Sequence, residues 1–428
     1  MSNSVVELFA GVGGFHLAAK ESGWKVIWAN QWEPGVKVQH AFDCYTKNFP
    51  DTVAVNDDIA NVIRDVPKHD LLVGGFPCQD YSVAATKAKG IQGRKGVLWW
   101  EIAKVLSARK PKYVLLENVD RLLKSPTSQR GRDFAIMLAT LDELGYTAEW
   151  RVINAADYGY PQRRRRVFIF AWRSRNRWST RFGKCRNKGK WLTEKGLFAS
   201  VFDSEMDEVD RFSTEPTQSK LEQFIDDVEI PRRGRRRSPE DNDRLLSISQ
   251  DWPSYKVSPF KRAGLMAKGD VWTCGYESTY DHERKLLQDI IQKRVDDGWF
   301  YLRDEEIVQW KYLKGQKREE RTAKDTGFKF MYSEGALPFP DPLDRPSRTI
   351  ITGEGGKSPS RFKHVIKDVT GKLRRITPIE AERLNGFPDD WTLTDTMPTN
   401  FRYFCMGNAL VVPLVSEIMK GIRNISQP

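Results

Sequence analysis

Over its first 172 residues the chain alternates short apolar runs with helix-length amphipathic stretches, and this alternation restricts the fold more than any other feature. Apolar runs at 5–9, 26–29, 71–74 and 113–116 have the length of buried strands, while 98–106 and 134–144 carry a helical repeat. The glycine turn Gly11-Val12-Gly13-Gly14 closes the first run, and a helix follows it and stops near Gly23. Residues 149–153 and 166–171 complete the pattern as an antiparallel pair near one edge. Alternating strands and helices cover both faces of a sheet, so the expected class is α/β: a doubly wound, mostly parallel sheet.

After Trp172 the texture changes. Arg173, Arg175, Arg177, Arg181, Lys184, Arg186, Lys188 and Lys190 follow with no acid between them, and a second basic run spans 231–237. Periodicity lapses, except that Leu286, Leu287, Ile290, Ile291 and Val295 predict an amphipathic helix. Order returns at Thr377-Pro378-Ile379-Glu380, where threonine at the N-cap, proline at the first turn and glutamate at the third position form a capping box. A last helix at 410–422 is expected to dock back on the first domain. The organisation is therefore 1–175, a smaller irregular domain at 176–395, and a returning segment at 396–428.

The chain has 428 residues, 39% of them hydrophobic, enough for two cores. No apolar run approaches the length of a membrane span, and the start lacks a basic region with a cleavage site. The five cysteines are scattered without CxxC pairs, which fits a reducing cytoplasm and argues against a disulfide framework or a zinc site. A net charge of +12 suits a polyanionic partner, most simply nucleic acid.

Three turns concentrate chemistry at one edge of the expected sheet. The glycine turn permits tight curvature and close approach of a ligand, but it is neither GxGxxG nor a phosphate loop. The loops after the next two strands hold Gln31-Trp32-Glu33 and Asp57-Asp58-Ile59, offering an indole for stacking and carboxylates as acceptors. Read singly, Trp32 fits a packing residue and Asp58 a helix cap at least as well. The third turn, Gly74-Gly75-Phe76-Pro77-Cys78-Gln79, holds a cysteine behind a proline that stiffens the loop. Alone, Cys78 fits an inert thiol as readily as a nucleophile. Glu117 ends the next strand in Leu115-Leu116-Glu117-Asn118-Val119, and Gln162-Arg163-Arg164-Arg165-Arg166 leads into another.

A thiol, a carboxyl and a guanidinium around one pocket suit addition to a pyrimidine. Thiolate attack at C6 of cytosine makes C5 nucleophilic, provided that charge is absorbed at N3 and O2. A carboxylic acid serves the first and an arginine the second.

With these residues in view, the sequence resembles the bacterial DNA cytosine-5 methyltransferases of restriction–modification systems, over about 1–172 and 345–415. Phe9-Ala10-Gly11-Val12-Gly13-Gly14-Phe15 matches the family's cofactor turn, Pro77-Cys78-Gln79 its nucleophile motif and Glu117-Asn118-Val119 its base-holding motif. Gln162, Arg164 and Arg166 fall on its Gln-x-Arg-x-Arg motif. Residues 374–378 with Gly386-Phe387-Pro388, and Gly407-Asn408-Ala409, resemble its last two motifs.

The resemblance implies an S-adenosylmethionine-dependent, Rossmann-like methyltransferase fold, no metal, and a target cytosine flipped out of duplex DNA. It assigns catalysis to Cys78, Glu117, Arg164 and Arg166, with Arg166 facing cytosine O2. It places the cofactor on Phe9, Ala10, Gly11, Gly13, Gly14, Gln31, Trp32, Asp58, Ile59, Pro77, Leu98, Asn408 and Ala409. Residues 82–96 would be a loop closing over DNA. Gln79, Ser82, Arg94, Gln162, Arg348, Thr349, Lys357 and Arg361 would contact DNA, and the irregular domain would read the target sequence.

One departure stands out: the family usually carries an acid for the cofactor ribose where this chain has Gln31, so Gln31 or Glu33 must serve. The implied protein is a cytoplasmic monomer on double-stranded DNA, paired functionally with a restriction endonuclease. A tRNA cytosine-5 methyltransferase and a non-catalytic nucleic-acid-binding regulator remain open at this point. A dinucleotide oxidoreductase is disfavoured by the glycine spacing.

Overall fold

The computed structural model describes residues 3–76, 98–173, 176–213, 252–253, 255–322 and 327–426. They divide into two compact units, the first comprising 1–158, 165–281 and 412–428, the second 159–164 and 282–411.

The first unit is built on a mixed sheet. Its parallel part contains β1 (Ser4–Leu8), β2 (Lys25–Asn30), β3 (Val53–Val55), β4 (Leu71–Gly75) and β5 (Tyr113–Val119), in the order β3-β2-β1-β4-β5. Val5, Val6, Leu8, Leu71, Leu72 and Val73 are all fully buried, which explains runs that are continuously apolar rather than alternating. Helices α1 (Gly14–Glu21), α2 (His40–Asn48), α3 (Leu98–Arg109) and α4 (Arg132–Glu143) link or flank these strands. Trp99, Ile102 and Leu106 of α3 and Phe134, Leu138 and Leu141 of α4 share one core with Val6, Leu72 and Val114 of the sheet.

Beyond β5 the sheet continues with β6 (Tyr146–Asn154) and β7 (Arg165–Arg173). They pair antiparallel, as expected, but β7 sits between β5 and β6 rather than at an edge. Three further antiparallel strands extend it: β8 (Asp210–Ser213), β9 (Ala263–Ala267) and β10 (Asp270–Cys274), in the order β8-β10-β9-β6. Residues 165–281 thus belong to the first unit, whereas the sequence texture assigned 176–395 to a separate domain. Ladder pairing with β6 (Met266 opposite Ala148, Ala263 opposite Arg151) decides their membership, and no local pattern announces it.

Between β7 and β8 lies α5 (Arg177–Lys184), and the chain ends on α6 (Val412–Ser426). The last helix packs on α1, with Trp24 Nε1 donating to Met419 O at 3.0 Å. By length and apolar composition the stretch Thr399–Ser426 would pass as a membrane span, contrary to the sequence expectation, yet 72% of its most apolar window is buried in the protein.

The second unit has little regular structure. The capping box at Thr377 forms as predicted: Glu380 N donates to Thr377 Oγ1 at 3.2 Å, and Thr377 N to Glu380 Oε2 at 2.8 Å. The amphipathic helix expected at 286–295 does not form; only Leu287–Asp289 makes a 3-10 turn. Its backbone donors go to distant acceptors instead: Leu287 N to Arg345 O (3.0 Å), Gln288 N to Leu343 O (3.0 Å) and Gln292 N to Glu380 Oε1 (2.7 Å). Tertiary hydrogen bonds have overridden a correct apolar period.

Candidate active site

The ends of β1, β2, β4 and β5 shape one edge of the first unit. After β1 the backbone reverses sharply, with positive φ at Phe9 (55°), Gly11 (55°) and Gly13 (87°). A Cβ on Gly13 would lie 2.4 Å from the Phe49 ring, so only glycine fits there. A Cβ on Gly11 would meet nothing within 4 Å: that side of the turn faces open space.

Gln31 holds the turn from below. Its Oε1 accepts the Gly11 N–H at 2.7 Å, and its backbone is tied to the β3 end through Val55 O (3.1 Å) and Asn56 Nδ2 (2.7 Å). Beside it Trp32 is 37% exposed, an indole face presented at the edge. Asp58 caps the helical turn Ile59–Val62, accepting from Ala60 N at 3.0 Å, and Ile59 is buried. Burial pushes the Glu33 carboxyl upward. Leu98 opens α3, half-buried above the fully covered Trp99.

A buried polar group absent from the sequence reading supports this turn. Glu7, inside β1, accepts from Tyr45 Oη at 3.2 Å, and Tyr45 Oη is 2.8 Å from His16 Nδ1. Burial raises the Glu7 carboxyl to about 8 and lowers the His16 imidazole to about 4. The signal was a lone acid in an otherwise apolar strand directly before a glycine turn.

At the neighbouring strands the catalytic candidates meet. The register sets Gly75 opposite Glu117 and Val119 opposite Arg166. Glu117 Oε1 lies 2.8 Å from Arg166 Nε, with both side chains largely buried. A side chain added at Gly75 would come within 3.2 Å of Glu117 Oε2, so β4 ends right beside this carboxylate. Asn118 Nδ2 fastens that exit by donating to Phe76 O at 2.8 Å. Pro77, Cys78, Gln79, Ser82 and Arg94 lie outside the described residues.

The remaining candidates belong to the second unit, where four of them are engaged with protein partners. Arg164, expected to be catalytic, is fully buried, donating to Gly407 O (2.8 Å) and Ile350 O (3.5 Å). Gln162, expected on DNA, is buried, bonding Leu384 O (3.2 Å), Asn385 Oδ1 (2.9 Å) and Ile350 N (3.0 Å). Arg348 is held by Asp341 (2.8 Å), Phe362 O (2.9 Å) and Lys363 O (3.2 Å). Arg361 pairs with Glu334 (3.0 Å) and donates to Leu313 O and Gly315 O (3.4 Å each).

A unit with few ladders leaves carbonyls unmatched, and guanidinium groups satisfy them. Thr349 and Lys357 are exposed. Asn408 ends the helix Thr399–Asn408 and is exposed, with Ala409 half-buried after it. Among the described residues no three or more His, Cys, Asp or Glu side chains converge as metal ligands.

Residues 3–424 match the profile of the C-5 cytosine-specific DNA methylase family. The chain is 46% identical to the type II methyltransferase M.Sau3AI of Staphylococcus aureus, over 98% of this chain and 95% of that one. It is 26% identical to M.NlaIV of Neisseria lactamica, over 97% and 98% respectively. The fold is shared with a solved Spodoptera frugiperda DNMT2 mutant, at a TM-score of 0.58 and 16% identity, covering 98% of this chain and 99% of that one. The open glycine turn, the buried Glu117–Arg166 pair and a match from end to end therefore converge: the chain belongs to the C-5 cytosine-specific DNA methylases, enzymes that methylate cytosine in DNA using S-adenosylmethionine.

Proposed function

We propose that this methyltransferase works through Cys78, Glu117 and Arg166 on a cytosine flipped out of a specific duplex sequence, as the modification enzyme of a type II restriction–modification system. The observation that carries the reading is the 2.8 Å Glu117–Arg166 pair beside the exit of β4, three residues before Cys78.

The residues fit the methyl donor. Gly11 leaves room for it, Trp32 offers a stacking face, and Gln31, with Oε1 engaged by Gly11, can turn its amide nitrogen to a ribose hydroxyl. Asp58, Ile59 and Leu98 would complete the site within the first unit. Bound S-adenosylmethionine supplies an electrophilic methyl group on a sulfonium.

The protein's own residues do the rest. Cys78 Sγ, as thiolate, bonds to C6; the electron pair of the C5–C6 double bond shifts toward N3 and O2. Glu117 hydrogen-bonds or protonates N3, and Arg166 donates to O2, each stabilising charge as it develops. C5 then takes the methyl group as its bond to the sulfonium breaks and leaves a neutral thioether. Water removes the C5 proton, Glu117 takes back any proton given to N3, and the C6–Sγ bond breaks to restore the C5–C6 double bond and the thiolate. Their mutual contact keeps both side chains oriented at one edge before substrate arrives, which removes reorganisation from the barrier. The second unit would supply target recognition, with Thr349 and Lys357 as its exposed contact candidates.

Duplex DNA carrying 5-fluorocytosine at the target tests this, because after methylation C5 holds no removable proton. The wild type should form an adduct that survives denaturing electrophoresis, and Cys78→Ala should form none. Adduct in the Cys78→Ala variant, or none in the wild type, would refute the mechanism. A tRNA substrate methylated in place of DNA would refute the substrate.

A further inference from the structure

The basic run that follows Trp172 was expected to belong to the domain reading the target sequence. The structure puts it in the first unit, on α5 and the turns after it, and the catalytic site makes no use of it. Its construction is two-sided. Trp178 and Phe182, four residues apart, are buried against Trp172 and Trp191, with ring centroids 4.8–6.2 Å apart. The helix start is fixed by a capping box, Asn176 Oδ1 accepting from Ser179 N at 2.6 Å. One cation, Lys188, is consumed by structure: its Nζ donates to Phe182 O (2.6 Å) and Cys185 O (2.8 Å).

The other cations face outward. Arg177, Arg181 and Lys184 recur at helical spacing on the open face of α5, and Arg186 and Lys190 continue the stripe; all five are exposed. Among the described residues none of the five has a carboxylate at ion-pair distance, and Glu194 is the single acid between 176 and 202. Asp210, further along, is committed to Lys261 at 2.7 Å. Ordinary surfaces intersperse both signs, so an unbalanced stripe on a rigid base suits a polyanion.

The position excludes the reacting base as its target. Strand β7 runs antiparallel to β5, with Arg166 opposite Val119 at the catalytic end and Trp172 opposite Tyr113 at the other. At roughly 3.3 Å per residue, α5 therefore starts about 20 Å from the edge that holds Glu117. A membrane surface is disfavoured, because the apolar face that would enter lipid is already locked into the aromatic cluster.

We infer that Arg177, Arg181, Lys184, Arg186 and Lys190 form a second, sequence-independent DNA-holding surface, gripping the phosphate backbone of duplex away from the base being methylated. On long DNA such a surface retains the enzyme between target sites; on a duplex that barely covers one site it has nothing to hold.

The test compares wild type with R177Q/R181Q/K184Q/R186Q, all exposed positions outside the catalytic machinery. The expected result has three parts. The variant keeps its melting temperature, its S-adenosylhomocysteine affinity and, within about twofold, its kcat/KM on a short single-site duplex. It binds kilobase DNA lacking the site about tenfold more weakly. Its log–log salt slope for that binding falls by about 3, from the counterions that four phosphate contacts release.

An unchanged slope and long-DNA affinity would overturn the inference. So would an equal loss on the short duplex, which would put these cations in the primary interface. An equal effect in the control K20Q/K25Q/K47Q/K68Q would reduce it to net charge, and binding to phosphatidylserine vesicles with unchanged DNA binding would reassign the surface to lipid.

Discussion

The two units hold their polar groups in opposite ways. In the first, an apolar sheet does the positioning: Glu117, Arg166 and the glycine turn sit at strand ends, placed by ladder register and tight turns. In the second, buried ion pairs replace the sheet. Arg374 and Glu380 are both inaccessible and joined at 2.6 and 2.8 Å, Lys314 meets Asp341 at 2.7 Å, and Arg402 meets Glu382 at 2.9 Å. A framework of ladders leaves charged groups available for chemistry, whereas a framework of ion pairs consumes them. The same residue type therefore sits differently: Arg166 pairs with a carboxylate at a strand end, whereas Arg164, two residues away, is spent on backbone carbonyls.

The sharpest way to break that contrast is at Glu117. Glu117→Gln should lower kcat by about 10²–10⁴-fold while S-adenosylhomocysteine affinity holds, because hydrogen bonding at N3 persists but proton donation fails. Single-turnover methylation of a short duplex measures it, and a loss under tenfold would move catalysis elsewhere. In the second unit, Glu380→Ala should cost about 3–5 kcal/mol by leaving Arg374 buried and uncompensated. Replacing the pair together, R374M/E380L, should recover most of the loss, and hydrogen exchange on second-unit peptides reads both variants.

Gly13→Ala should cost about 2 kcal/mol from its left-handed backbone and the Phe49 contact, and should weaken S-adenosylhomocysteine binding in calorimetry.

The last contrast is a pH slope of opposite sign in the two units, small over any one pH unit. Glu7 has its carboxyl raised from 4.5 to about 8. Its contribution is present in full below its unfolded value and is lost as pH rises toward 8, by at most about 1.4 kcal/mol per pH unit. Glu7→Gln should flatten that decline. For Asp341 burial works upward, but His364, Arg348 and Lys314 outweigh it and hold the carboxyl below its usual range. Its contribution is present above about 4 and is lost as pH falls through the depressed value. Hydrogen exchange resolved by unit would show whether first-unit protection falls with rising pH while second-unit protection falls with acid.

Much of the first unit was legible because its information is local. Continuous apolar runs marked β1, β4 and β5, the glycine turn marked the β1–α1 junction, and the capping box at Thr377 formed as written. Glu117 and Arg166 were legible as residue types at strand ends, but their 2.8 Å contact was not. Misreadings arose wherever a residue's partner is far away in the chain. The run at 286–295 has a helical period, but its backbone donors find Leu343, Arg345 and Glu380. The partners of Gln162, Arg348 and Arg361 were equally hidden, because a free side chain and one engaged by carbonyls have the same sequence signature.

The sequence by itself determined the fold class, the order of the family motifs and the place of the glycine turn, since each depends on a few adjacent residues. The tertiary structure alone decided that β8, β9 and β10 extend the first sheet, that Gln31 braces Gly11, and that a basic run lies on a face remote from Glu117. These outcomes depend on pairings between segments dozens to hundreds of residues apart, where the free energy of long-range burial and hydrogen bonding outweighs local preference.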